Sequence, residues 1–146
     1  VGGQRIGGAQ RLFHVYSAGN FIEATDETPY FQIGEHKYGK PILDRVITPQ
    51  TPLDVSVTAA LLSMDSTLRS NLSVGMPLDL SVIETDKFVF SQNRRIEDLD
   101  PDFQKLAGTA RFSFRISSGL IRLFGIAVLS GSNVFSACTY IAPEPT

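Results

Sequence analysis

One cysteine, two histidines, two methionines and no tryptophan leave this 146-residue chain short of the residues that staple small folds. The lone thiol, Cys138, supplies no internal disulfide, and a reducing, intracellular and cytoplasmic setting is expected. His14 and His36, with Cys138 distant, match no zinc-ligand spacing, so no metal site is expected, and no Ser-His-acid or Cys-His nucleophile can be assigned. No excess of one charge exists either: 13 Lys+Arg against 15 Asp+Glu give a net −2, which offers no electrostatic case for nucleic acid. Long hydrophobic runs are absent. The longest, Leu120–Leu129, has Arg122 inside it, whereas a bilayer span takes about 20 apolar residues. That run reads as a buried strand or helix, and no membrane partner is expected. No secretory n-region opens the sequence, and Val1 in place of methionine suggests a chain that begins in mid-protein.

What is present is the balance of one globular domain, with 42% hydrophobic and 19% charged residues. A chain of this length buries roughly two thirds of its unfolded surface without staples. The charges are uneven. Residues 1–102 hold 9 basic and 14 acidic groups, a net −5, and residues 103–146 hold 4 and 1, a net +3, so the character of the chain changes near Asp102.

The periodicities predict a hairpin of Arg11–Tyr16 and Phe21–Ala24, a short strand at Tyr30–Ile33, and a short helix opened by Pro41 that runs through Ile42, Leu43 and Val46. Thr51-Pro52-Leu53-Asp54 reads as a capping signal for a helix of about five turns, with a stripe of Leu53, Val57, Ala60, Leu61, Met64 and Leu68. A second hairpin joins Leu78–Glu84 to Phe88–Phe90 through Thr85-Asp86-Lys87. Strands, two helices and strands in that order argue for an α+β layer of antiparallel sheet on helices.

Two runs invite a chemical reading. Gly34-Glu35-His36-Lys37-Tyr38-Gly39-Lys40-Pro41 nearly spells a phosphate loop, but Pro41 has neither the hydroxyl nor the amide hydrogen that position needs, so a strand-to-helix turn is preferred to nucleotide binding. The run Met64–Gly75 is dense in hydroxyl and acid groups. Asp65 there opposes the helix macrodipole and calls for a partner, which Arg69 at i+4 supplies as a surface pair, while Ser70, Asn71 and Gly75 read as helix termination. Arg94-Arg95 beside Glu97, Asp98, Asp100 and Asp102 reads as a solvated face or a subunit contact.

Three runs taken in order, Ser17–Thr25, Tyr30–Arg45 and Asp65–Gly75, resemble the bacterial proteasome-homologue family called Anbu, the ancestral beta subunit, over about residues 1–105. The resemblance implies the C-terminal half of a four-layer αββα N-terminal nucleophile hydrolase sandwich, with the N-terminal half missing. It also implies a threonine-type peptidase or amidohydrolase acting on a peptide or amide substrate, homo-oligomers, and no cofactor. No residue here matches the family's threonine or lysine, so the isolated chain is expected to be inactive. The residues it marks as supporting candidates are Asp65, with Ser70 or Ser73 as the companion serine, and Glu35, which follows Gly34 where relatives carry a serine. Residues 106–146 do not resemble the family. Their loss of acids is what a shifted reading frame or a fusion scar would produce, with a lineage-specific extension as the alternative, and the tail is expected to be disordered or aggregation-prone. The other class of function is a non-catalytic assembly module. A half-sandwich would expose a sheet face, so poor stability or strong association is expected.

Overall fold

A computed structural model of the chain describes residues 1–108, 124–130 and 134–140. The order is β1 (Gly2–Gln4), β2 (Gln10–Val15), β3 (Phe21–Glu23), β4 (Tyr30–Ile33), α1 (Lys40–Val46), α2 (Leu53–Ser70), β5 (Leu78–Glu84), β6 (Phe90–Ile96), α3 (Pro101–Gly108), β7 (Phe124–Ser130) and β8 (Val134–Tyr140). It is a mixed α/β arrangement with two antiparallel sheets, one ordered β1-β2-β3 and the other β4-β7-β8-β5-β6.

The helices cover one face of the five-stranded sheet. Leu78, Leu80 and Val82 alternate inward along β5 and meet Leu43, Ala60, Leu61, Met64, Ile96 and Phe103 in one core. Every second residue of β4 points the other way: Tyr30 packs on that core, while the ring of Phe31 meets His14 of β2 at 5.6 Å. At the other end of β2, Gln10 Nε2 donates to the Ile83 carbonyl, and Gln4 exchanges hydrogen bonds with Asp86. The three-stranded sheet therefore lies across the face opposite the helices. Its own outer face carries Arg11 paired with Glu23, Phe13 edge-on to Phe21, and Val15, with Val15 50% and Phe21 62% exposed.

The long helix spans the five turns its stripe predicts, but Thr51 does not cap it. Pro52 is the N-cap, with no side-chain cap bond, and the Thr51 hydroxyl instead donates to the Val46 carbonyl and accepts the Thr48 N–H, closing the turn between α1 and α2. The second hairpin also differs. Asp86 and Phe88 take positive φ of 59° and 53°, so the chain turns through Phe88 and pairing resumes at Phe90 with β6 running on to Ile96. In α3, Asp100 Oδ1 accepts the Phe103 N–H. The apolar run at 120–129 contributes β7, and β8 follows it; residues 120–123 and the remaining tail lie outside the described residues.

Candidate functional site

The loop between β4 and α1 and the C-terminal end of α2 meet at Glu35. Gly34 turns the chain at φ +90°, a conformation that costs glycine nothing, and directs Glu35 back toward the helix end. There Glu35 Oε1 accepts the Lys37 N–H at 2.8 Å and Oε2 accepts Asn71 Nδ2 at 2.9 Å, while Gln32 Nε2 donates to the Glu35 carbonyl at 2.7 Å. Asn71 is the hub. Its N–H closes α2 on the Thr67 carbonyl, and its Oδ1 accepts both the N–H and the hydroxyl of Ser73, at 2.9 and 2.6 Å. The Ser73 proton is thus committed to Asn71, leaving its oxygen as an acceptor.

Asp65 lies one turn and a half back along α2 and is buried at 7% exposure. Arg69 Nε donates to both of its carboxylate oxygens, at 3.0 and 2.8 Å, and Arg69 Nη2 reaches the Ala107 carbonyl at 3.4 Å, so the pair also ties α2 to the end of α3. The partner is the one expected, but it is a half-buried pair bridging two helices rather than a surface pair. Ser70 ends α2 and is exposed. Of the sequence candidates, then, Glu35 and Ser73 are joined through Asn71, Asp65 is engaged by Arg69, and Ser70 faces solvent.

Asn71 is the helix terminator the sequence predicts and, beyond that, the bridge between Glu35 and Ser73. The signal available was Asn-x-Ser, the spacing at which an Asn carbonyl collects a following amide. Replacing Asn71 with alanine removes three side-chain hydrogen bonds in a half-buried setting and is expected to cost about 1–2 kcal/mol, read by urea unfolding.

The lysine at the phosphate-loop position, Lys40, is already engaged. Lys40 Nζ is committed to Asp44 and, at 3.1 Å, to the Tyr30 hydroxyl, which itself donates to Asp44. Gly39, the N-cap of α1, is buried against Ser63 and Thr67 of α2. His36 is exposed, His14 stacks on Tyr16 at 4.5 Å, and among the described residues no group of three His, Cys, Asp or Glu could hold a metal. No helix among them is long and apolar enough to cross a membrane. In the charged run, Arg94 lies 3.6 Å from Asp102, and Arg95 forks onto Asp79 at 2.8 Å twice.

These ion pairs set the pH response. Hydrogen bonding from Arg95 holds the Asp79 carboxyl below its usual range, and Lys40 followed by Tyr30 does the same for Asp44. A carboxyl depressed in the folded state adds stability that is complete above the unfolded value near 4 and is lost as pH falls through the folded value. Lys40 and Tyr30 are raised, Lys40 chiefly by its bond to Asp44 and Tyr30 chiefly by burial. Their contribution is complete below about pH 10 and is lost as pH rises through their folded values. The midpoint of urea unfolding should therefore fall off below roughly pH 4 and above roughly pH 10, and Asp79→Asn should flatten the acid limb by under about 1 kcal/mol, since Asp79 and Arg95 are partly exposed.

The two antiparallel sheets, the helix layer and the joined helix-end and strand-end loops define a mixed α/β domain. No family model matches the chain, and no curated protein matches it. Solved structures do. Anbu (ancestral beta-subunit) from Yersinia bercovieri is 49% identical with a TM-score of 0.70, over 80% of this chain and 56% of that one. Anbu from Hyphomicrobium sp. strain MC1 is 56% identical with a TM-score of 0.72, over 75% and 47%. The helical assembly of the Anbu complex from Pseudomonas aeruginosa contains a chain 47% identical with a TM-score of 0.68, over 80% and 52%. The chain belongs to the Anbu family. It spans about half the length of the Anbu chains it matches.

Proposed function

We propose that residues 1–105 are the C-terminal half of a proteasome-like threonine peptidase or amidohydrolase built as a four-layer αββα sandwich, with residues 106–146 a tail outside it. The observation that carries the reading is identity of about half over three quarters or more of the chain to Anbu proteins of twice its span. In such chemistry a threonine hydroxyl adds to the substrate carbonyl, and its proton passes to the threonine's own amine. The amine leaving group departs protonated, and water then cleaves the ester. The present residues supply support: Asp65, fixed by Arg69, and the Glu35-Asn71-Ser73 bridge hold the end of α2 and the β4-α1 loop where an adjoining half would meet them. Homo-oligomers and a peptide or amide substrate follow from the same reading.

A non-catalytic assembly module is the second reading, favoured by the exposed apolar outer face of β2 and β3 and by the helical assembly of the Pseudomonas aeruginosa relative. A β-lactone probe on the protein translated from the complete gene separates the two. Acylation of an N-terminal threonine, found by mass spectrometry and abolished by substituting that threonine, supports the enzyme. No acylation while assembly persists supports the module. The isolated 146 residues should be unlabelled.

A further inference from the structure

The three-stranded sheet ends on β1, whose far side meets no strand among the described residues. Val1 and Phe13 exchange both backbone bonds, the Val1 amine donating to the Phe13 carbonyl and the Phe13 N–H to the Val1 carbonyl, each at 2.7 Å. Bonded and unbonded pairs alternate along an antiparallel ladder. With Gly2 opposite Leu12, Gly3 opposite Arg11 and Gln4 opposite Gln10, the next bonded pair is Gly3 with Arg11, and the N–H and C=O groups of Gly2 and Gln4 point away from β2. Their donors and acceptors stand along one free edge.

Sheet edges are commonly blunted by charge, proline or a bulge. At the edge of the other sheet, β6 carries Arg94 and Arg95 and lies beside a register shift at Val82/Ile83, and β3, opposite β1, carries Glu23. Gly2-Gly3-Gln4 has none of these devices. It is also held in place, because Gln4 Nε2 donates to Asp86 Oδ1 and to the Gly8 carbonyl at 2.8 Å, and Gln4 Oε1 accepts the Asp86 N–H at 2.8 Å. An edge fixed in this way loses little freedom on pairing. Beside it lies an open groove of about 650 Å³ lined in part by Gly2, Gly3, Gln4, Arg5, Arg11 and Phe13, and a Cβ on Gly3 would meet nothing within 4 Å. The outer face of the same sheet continues into the exposed Val15 and Phe21. The five-stranded sheet has no such bare side, since helices cover one face and the three-stranded sheet lies across the other.

About half of each matched Anbu chain has no counterpart in these residues, so in the relatives about as much chain again accompanies a domain of this kind. We propose, resting on the reading of residues 1–105 as a C-terminal half, that the β1 edge is the docking site of the other half: an extended segment of that half adds beside Gly2–Gln4 as a fourth strand, pairing with the outward groups of Gly2 and Gln4. Strand addition of this kind takes its affinity from main-chain bonds. It also extends the outer face, so that apolar side chains of the added half cover Phe13, Val15 and Phe21.

Hydrogen exchange, resolved to single amides by mass spectrometry, tests the docking on the protein translated from the complete gene and on the 146-residue chain. The Gly3 N–H, bonded to β2, should be slow in both. The Gln4 N–H should be fast in the 146-residue chain and at least about a hundredfold slower in the complete protein. Gly2→Pro removes an outward donor without touching the β1–β2 ladder, and in the complete protein it should speed Gln4 exchange at least about tenfold. Measured against the rate of an unstructured peptide, Gln4 protection in the complete protein decides the matter even where the 146 residues alone do not fold. Unprotected Gln4 in a complete protein whose other half is itself slow to exchange overturns the docking site and leaves the C-terminal-half reading standing, as does protection that Gly2→Pro leaves unchanged. A complete gene that encodes no other half overturns that reading, and the docking site with it.

Discussion

Gly39→Ala should be among the most damaging single changes in the chain, lowering stability by about 2–3 kcal/mol and the melting temperature by roughly 5–10 °C. A Cβ at this position would sit 2.3 Å from Ser63 Oγ, 2.9 Å from the Ser63 carbonyl oxygen and 2.9 Å from Thr67 Oγ1. The backbone conformation is not the obstacle, since Gly39 has φ −89° and ψ −40°, which alanine adopts freely. The obstacle is the close approach of α1 to α2. Ser63 can rotate its hydroxyl away, but its carbonyl belongs to the helix ladder and accepts the Thr67 hydroxyl at 2.9 Å, so α1 must lift. Lifting α1 pulls Leu43 out of the core and shifts the loop that carries Glu35. Ser63→Ala gives the control: the Ser63 hydroxyl is buried with no partner, so its removal alone should be neutral or stabilising by up to about 1 kcal/mol. In the Gly39→Ala background it should restore less than half the loss, because the carbonyl conflict stays. Full restoration in urea melts would show that the hydroxyl, not the helix spacing, sets the limit.

Where the sequence spoke clearly, it did so through periodicity or turn chemistry. The stripe from Leu53 to Leu68 located α2 because 3.6-residue spacing survives any tertiary context, and alternation in Leu78–Val82 located β5. Strand β1 is Gly-Gly-Gln, with no side-chain pattern to read, and exists because its backbone pairs with β2. Helix α3 carries a local signal too, since Asp100 followed by Pro101 is a cap and a first-turn proline. The site divides in the same way. Asp65 stands out within its own helix, as an acid where the dipole disfavours one, and its partner Arg69 is set by i+4 geometry. The Glu35–Asn71 bond joins positions 36 apart, and the contact of Gly39 with Ser63 depends on how two helices cross. No local pattern encodes either, although the small residues Ser56, Ala59, Ala60 and Ser63, all buried, mark α2 as a helix that lets another element come close.

Leu80→Ala is expected to cost about 3 kcal/mol, near the middle of the range for deleting a buried leucine side chain. Leu80 is 1% exposed and lies midway along β5, which is paired on both sides, with Arg94 of β6 and Cys138 of β8 as its register partners. A strand held on both edges cannot close over the void without giving up ladder bonds, so the space stays open and the penalty includes a cavity as well as lost burial. The neighbours that would have to collapse, Met64 and Leu61, are on α2, and moving them would displace the helix whose end carries Asp65 and Asn71. Leu72→Ala is the comparison. It deletes the same atoms at a position 72% exposed and should change stability by under about 0.5 kcal/mol. In urea the Leu80 variant should shift the midpoint with little change in slope, because the same surface is exposed on unfolding. A cost below about 1 kcal/mol would mean that β5 relaxes into the void, with a helix layer less firmly seated on the sheet than the burial of Leu78, Leu80 and Val82 requires.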